Sequence, residues 1–170
     1  MIYFISIISI LFFGFNFYQD VKYRSIYLIN IPISAILILS YVYVNNALVL
    51  NFHSIIINVL IITTQVLGAW LFILITKKKS ISSLNNYIAV ADIFFLFLPV
   101  LLFPPIQLVI FELIIMVGSL VFSVIIAWYT NNIKHATVPL AGIVGLGLAI
   151  VISLEVFANY SLTSMFQINY

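Results

Sequence analysis

Residues 54–79 read SIIINVLIITTQVLGAWLFILITKKK. From Ser54 to Thr76 the run carries no charged side chain, and it stops on Lys77, Lys78 and Lys79. A helix rises about 1.5 Å per residue, so this run reaches about 34 Å and spans a hydrocarbon core of about 30 Å. The stretch therefore reads as a membrane-crossing helix whose lysines mark one headgroup layer.

The rest of the chain repeats that pattern. Its 170 residues are 65% hydrophobic and 6% charged, with a mean hydropathy of +1.31. A soluble domain would carry about 25% charged residues. Five more apolar stretches fall at about 2–18, 27–44, 87–102, 106–129 and 138–158. Asn45-Asn46, Phe103-Pro104-Pro105 and Asn131-Asn132 supply breaks between them, the proline pair because it cannot continue a helix. The expected fold is all-α: a polytopic membrane protein with six transmembrane helices in one domain over residues 1–170. Six spans of about 20 residues leave no room for a soluble domain. Residues 1–17 lack the basic start of a signal peptide, and no small-residue cleavage site follows, so they read as a retained first span.

The charges set an orientation. Lys22 and Arg24 lie between the first and second stretches, Lys77 to Lys79 between the third and fourth, and Lys134 between the fifth and sixth. Every Lys and Arg thus falls in an odd-numbered connection, and those connections share one side. The positive-inside rule makes that side cytoplasmic, which puts both termini on the non-cytoplasmic side of an inner (plasma) membrane. The net charge of +2 and the scattered basic residues exclude a nucleic-acid stripe. The absence of Cys excludes disulfides, thiolate metal sites and a Cys nucleophile.

The acids are four: Asp20, Asp92, Glu112 and Glu155. An ionisable group in a bilayer is costly and marks a functional site by default. Asp20 sits at the cytoplasmic end of the first stretch, and Asp92 lies one to two turns into the fourth from the same side. The two glutamates fall toward the other face, where the expected reading is that they meet the headgroup region. The acids therefore sort into an inner Asp pair and an outer Glu pair.

Three segments around the inner pair resemble the type IV prepilin peptidase family, intramembrane aspartyl proteases that trim the leader peptides of prepilins. Asp20-Val-Lys-Tyr-Arg-Ser-Ile26 is similar to the family's first motif, an Asp, a short basic stretch and then Ile-Pro-Asn. Ala89-Val-Ala91-Asp92 stands where the family has Gly-x-Gly-Asp, and Val138-Pro139-Leu-Ala-Gly142 resembles the start of its last helix. Tyr27 replaces the Pro of the first motif, with Asn30-Ile31-Pro32 offering a displaced version, and Phe94 stands where a Lys is frequent. With no Cys, the chain resembles the short peptidase-only members, which lack the cysteine-rich methyltransferase segment.

The resemblance implies an aspartyl endopeptidase with Asp20 and Asp92 as its catalytic pair and a prepilin-like membrane protein as substrate. Lys22, Arg24, Ala89, Ala91 and Pro139 would bind substrate or support the site. No cofactor or metal is expected. Hydrolysis by two aspartates needs one carboxylate charged and one protonated, and two close carboxylates share a proton as a pair. The two aspartates are 72 positions apart, so only packing of the first and fourth helices joins them.

Each signal has a plainer reading. Asp20 alone could be a solvated acid beside Lys22, and Asp92 a buried acid paired with a polar neighbour. The lysine run is a topology signal, His135 a polar loop residue, and His53 carries no argument. Gly142, Gly145 and Gly147 sit within an apolar span and read as a helix-packing face rather than a phosphate loop. Trp128, Tyr129, Tyr18 and Tyr23 suit an interfacial belt. Two other functions remain: a small proton- or cation-coupled transporter using the same acids, and an inactive relative acting in membrane assembly.

Overall fold

The computed structural model describes residues 1–23, 25–44, 52–77, 90–130 and 139–157. Six helices run in the order α1 (Ile2–Tyr23), α2 (Asn30–Val44), α3 (Phe52–Lys77), α4 (Val90–Phe97), α5 (Pro105–Thr130) and α6 (Leu140–Phe157). A short 3-10 helix, Leu98–Leu101, follows α4. No strand occurs among the described residues. Four segments have the length and apolarity to cross a membrane: Ile2–Tyr23, Phe52–Phe72, Pro105–Ile125 and Leu140–Phe157. Asn30–Val44 and Ala91–Leu101 are shorter apolar helices. These helices are apolar on most faces, as expected of segments covered by lipid on one side and protein on the other.

Alternating direction follows from the contacts. Gln19 and Asn16 near the end of α1 bond to Asn30 and Ser34 at the start of α2, so these two helices are antiparallel. Tyr3 meets Phe157 and Asp20 meets Gly142, so α6 runs antiparallel to α1 along its whole length. Helix α6 is the centre of the bundle, with 56% of its span buried against 11% for that of α3. Gly145 faces Phe13 and Phe95, while Gly147 faces Ile115 and Phe111, which lets α1, α4 and α5 all close on α6. The small-residue reading of this stretch thus describes what the glycines do.

Three boundaries differ from the sequence reading. The first helix continues to Tyr23, so Asp20 and Lys22 lie in its last turn rather than beyond it. The second begins at Asn30, after a turn in which Asn30 N–H donates to Tyr27 O over 2.8 Å. Pro32 then falls in the first turn of α2, where a missing N–H costs nothing. The fourth stretch does not continue as α-helix to Leu102. Pro99 has no N–H, and the chain tightens into the 3-10 helix from Leu98. The disturbed turn is stabilised from α3: Asn58 Nδ2 donates to Val100 O over 3.2 Å and to Phe103 O over 2.7 Å.

Candidate active site

Helix α6 starts without a cap of its own. Pro139 precedes its first residue and accepts from Ile143 N–H over 3.1 Å, but a proline has no side-chain oxygen to offer the next amides. Two other helices supply the acceptors. Ala141 N–H donates to Asp92 Oδ1 over 3.0 Å, and Gly142 N–H donates to Asp20 Oδ2 over 2.7 Å. Asp92 is the third residue of α4, and Asp20 lies in the last turn of α1. Two carboxylates 72 positions apart therefore converge on consecutive amides of a third helix. Consecutive residues stand about 3.8 Å apart, which holds the bonded oxygens within about 10 Å of each other. The positive end of the helix dipole favours both.

The approach of α1 depends on Gly142. A Cβ there would stand 2.9 Å from Asp20 Cβ, 3.0 Å from Asp20 Oδ2 and 3.2 Å from Phe17 Cα. The last of these is backbone and cannot step aside. Any larger residue at 142 would push α1 away and lengthen the Asp20 bond. Sequence reasoning assigned Gly142 to helix packing and missed this contact with the acid.

A buried amide network sits beside Asp20 on the same helix. Asn30 Nδ2 donates to Asn16 Oδ1 over 2.7 Å and to Gln19 Oε1 over 3.0 Å, and Asn16 Nδ2 donates to Ser34 Oγ over 3.3 Å. All four side chains are buried. In an apolar bundle each such bond replaces an unpaired polar group, so the network fixes α2 against the last two turns of α1. None of the four was singled out for this from the sequence, although Asn16 and Gln19, and Asn30 and Ser34, stand at helical spacing.

The remaining predicted residues divide. Asp20 is buried and Asp92 half-buried. Ala91 is half-buried in the first turn of α4, next to Asp92, and Pro139 is buried at the entry to α6. Lys22 is exposed: it donates to Tyr18 Oη over 2.8 Å and lies over the rings of Tyr18 and Tyr23. Arg24 and Ala89 fall outside the described residues, as do Lys78, Lys79, Lys134 and His135. Among the described residues no three His, Cys, Asp or Glu side chains gather as metal ligands would.

Glu112 corrects the expectation that both glutamates meet the headgroups. Glu112 is 2% exposed and accepts from Gln65 Nε2 over 2.8 Å. Glu155 is half-buried and accepts from the hydroxyl of the buried Tyr41 over 2.7 Å. Rotation about the helix axis was not readable from the sequence.

Comparison of the chain with known protein families, with curated proteins and with solved structures gave no match.

Proposed function

We propose that this protein is an intramembrane aspartyl endopeptidase, with Asp20 and Asp92 as its catalytic pair, that removes the leader peptide of prepilin-like substrates. The observation that supports this most is the convergence of both carboxylates on the Ala141 and Gly142 amides. Fixed donors set the orientation of each carboxylate before substrate arrives, which is how a site avoids reorganisation during reaction.

In this reading the chain crosses the plasma membrane six times as one domain, with both termini outside and the aspartates at the cytoplasmic face. The substrate is a membrane protein whose basic leader stays in the cytoplasm while its apolar stem enters the bilayer. The scissile bond lies between the two, at the depth of Asp20 and Asp92. Lys22 and Arg24 meet lipid phosphates or an acidic residue near the cut.

The chemistry uses one proton shared by the pair. The charged carboxylate takes a proton from water as the water oxygen bonds to the scissile carbonyl carbon. The neutral carboxyl gives its proton to the carbonyl oxygen, forming a tetrahedral diol. When the diol collapses, the C–N bond breaks and the leaving nitrogen takes a proton from the acid that water had protonated. The other carboxylate recovers a proton from the diol, and the pair returns to its starting state. The two groups act as one titrating unit, so the roles belong to the pair.

The test is cleavage of a single-span protein with a basic leader, co-expressed in membranes with wild type, Asp20→Asn or Asp92→Asn and read as a size shift. Asparagine keeps an oxygen that can accept from the α6 amides but cannot exchange a proton. Processing by wild type and by neither variant is the expected result. Processing that survives either substitution rules out the catalytic pair and leaves the aspartates as helix caps.

A further inference from the structure

A second buried acid lies away from the aspartates, between α3 and α5. Glu112 is 2% exposed, and its Oε2 is held by Gln65 Nε2 at 2.8 Å. The other oxygen of each side chain, Glu112 Oε1 and Gln65 Oε1, is buried with no hydrogen-bond partner. Both oxygens are acceptors, and the hydrogen bond between the other two atoms holds their parent groups together. Rotation about the terminal torsions, which are broad, brings the second pair of oxygens toward each other. Two facing acceptors in an apolar interior repel unless something positive stands between them.

We propose that Gln65 and Glu112 form a binding site for a monovalent cation, which bridges Gln65 Oε1 and Glu112 Oε1. The site carries one carboxylate, so a single positive charge neutralises it, whereas a divalent ion would leave a net charge in hydrocarbon. The ligand atoms are oxygens, which suits a proton or an alkali metal ion. A proton on Glu112 Oε1 would close a two-bonded amide–acid ring with Gln65; an alkali ion would take the same two oxygens as ligands. The helices packed most closely on α5, α3 and α6, carry two other titratable groups among their described side chains. His53 is exposed in the first turn of α3, and Glu155 of α6 is already bonded to Tyr41 of α2. No described basic side chain from those elements is placed to neutralise Glu112. Gln65 also borders a shallow apolar hollow of about 440 Å³ with Ile57, Leu60, Ile61 and Thr64.

The site has a structural consequence. Among the described side chains of α3 only Asn58 and Ile62 are buried. Its docking therefore leans on polar ties, and the bridged Gln65–Glu112 pair is the one nearest the middle of the helix. Loss of the ion loosens α3 against α5.

The test uses wild type, Glu112→Gln and Gln65→Leu in lipid nanodiscs. Thermal unfolding is followed as Na⁺ replaces choline at constant ionic strength, and infrared spectra are recorded at neutral pH in choline. An alkali ion at this site raises the unfolding midpoint of wild type by several degrees with Na⁺. That rise is lost in Glu112→Gln and needs at least tenfold more Na⁺ in Gln65→Leu. A proton at this site gives wild type a protonated-carboxyl band that is missing in Glu112→Gln and shifted in Gln65→Leu. If Glu112→Gln fails to fold, the comparison of wild type with Gln65→Leu decides the question alone. A Na⁺ response shared equally by all variants, or no response together with no such band, overturns the proposal.

Discussion

Two regions of this bundle treat buried acids in opposite ways. Where α1, α4 and α6 meet, Asp20 and Asp92 are held by backbone N–H groups that α6 must satisfy in any case. Where α3 meets α5, Glu112 and Gln65 share one bond and leave two oxygens facing an apolar interior. The first arrangement is complete within the protein, and the second needs a positive ligand to complete it. The difference comes from backbone. A helix N-terminus brings unpaired donors to the aspartates, while Glu112 sits in the eighth position of α5, where the backbone donors are already used. Burial of an acid therefore says little until its donors are counted.

The largest expected effect separates chemistry from capping at the aspartates. Asp20→Asn and Asp92→Asn should lower peptide cleavage by a factor of about 10² to 10⁴, since proton transfer is lost. Their unfolding midpoints should stay near that of wild type, because the asparagine oxygen still accepts from α6. Asp20→Ala and Asp92→Ala should lose activity and also about 0.5–2 kcal/mol of stability, as cap removal does. Cleavage rates and thermal unfolding on the same four proteins measure both. If the alanine and asparagine variants unfold alike, the α6 amides do not depend on these carboxylates.

The next effect tests the close approach that makes the first region work. Gly142→Ala places a methyl group 2.9 Å from Asp20 Cβ and 3.2 Å from Phe17 Cα, and should cost about 1–3 kcal/mol while displacing the acid. Gly145→Ala is the control one turn on. Its nearest neighbour would be 3.5 Å away, and alanine is the better helix former, so it should be neutral or slightly stabilising. Equal damage from both substitutions would mean that α6 tolerates no bulk anywhere and that Gly142 has no special tie to Asp20.

Much of the first region was legible in the chain. Isolated acids in apolar stretches named Asp20 and Asp92, and the three glycines named α6 as a packing helix. A further signal was there to read: Ser6, Ser9, Asn16 and Asp20 repeat at helical spacing along α1, and all four are buried. In an apolar helix such a stripe points inward, the reverse of a soluble helix, and it marks the face that meets the rest of the bundle. Pro99 likewise announced that the fourth stretch could not remain α-helical to Leu102. What could not be read was partnership. Nothing in sequence says that a helix begun by Pro139 would borrow its caps from two distant segments, or that Gln65 would rotate onto Glu112 rather than leave it to the headgroups. Those facts depend on helix rotation, which an almost uniformly apolar sequence encodes weakly.

Helix α3 yields an effect of similar size on stability, but none on cleavage, at Asn58. Its amide donates to the Val100 and Phe103 carbonyls that the proline-broken turn leaves unpaired. Asn58→Leu keeps the volume and removes both donors, which should cost about 1–3 kcal/mol. Cleavage per folded molecule should not change, since Asp92 lies in the first turn of α4 and Asn58 holds the turn beyond its other end. A loss of cleavage beyond the loss of folded protein would mean that the turn after α4 transmits to Asp92, and that the two regions are one.

The smallest effect is the sharpest check on how orphaned polar groups behave here. Gln107 is 7% exposed, and neither its Oε1 nor its Nε2 has a hydrogen-bond partner. A buried amide that makes no bond contributes only its desolvation cost, so replacing it with an apolar group of similar size removes that cost. Gln107→Leu should therefore leave stability unchanged or raise it by up to about 1 kcal/mol, against the usual trend for a core substitution. Gln65→Leu should do the opposite, because Gln65 holds Glu112. Thermal unfolding of the two variants side by side distinguishes an amide that is merely buried from one that serves an acid. If Gln107→Leu is instead as damaging as Gln65→Leu, Gln107 shares in the polar site between α3 and α5, and that site extends a turn further toward the start of α5 than the Gln65–Glu112 pair.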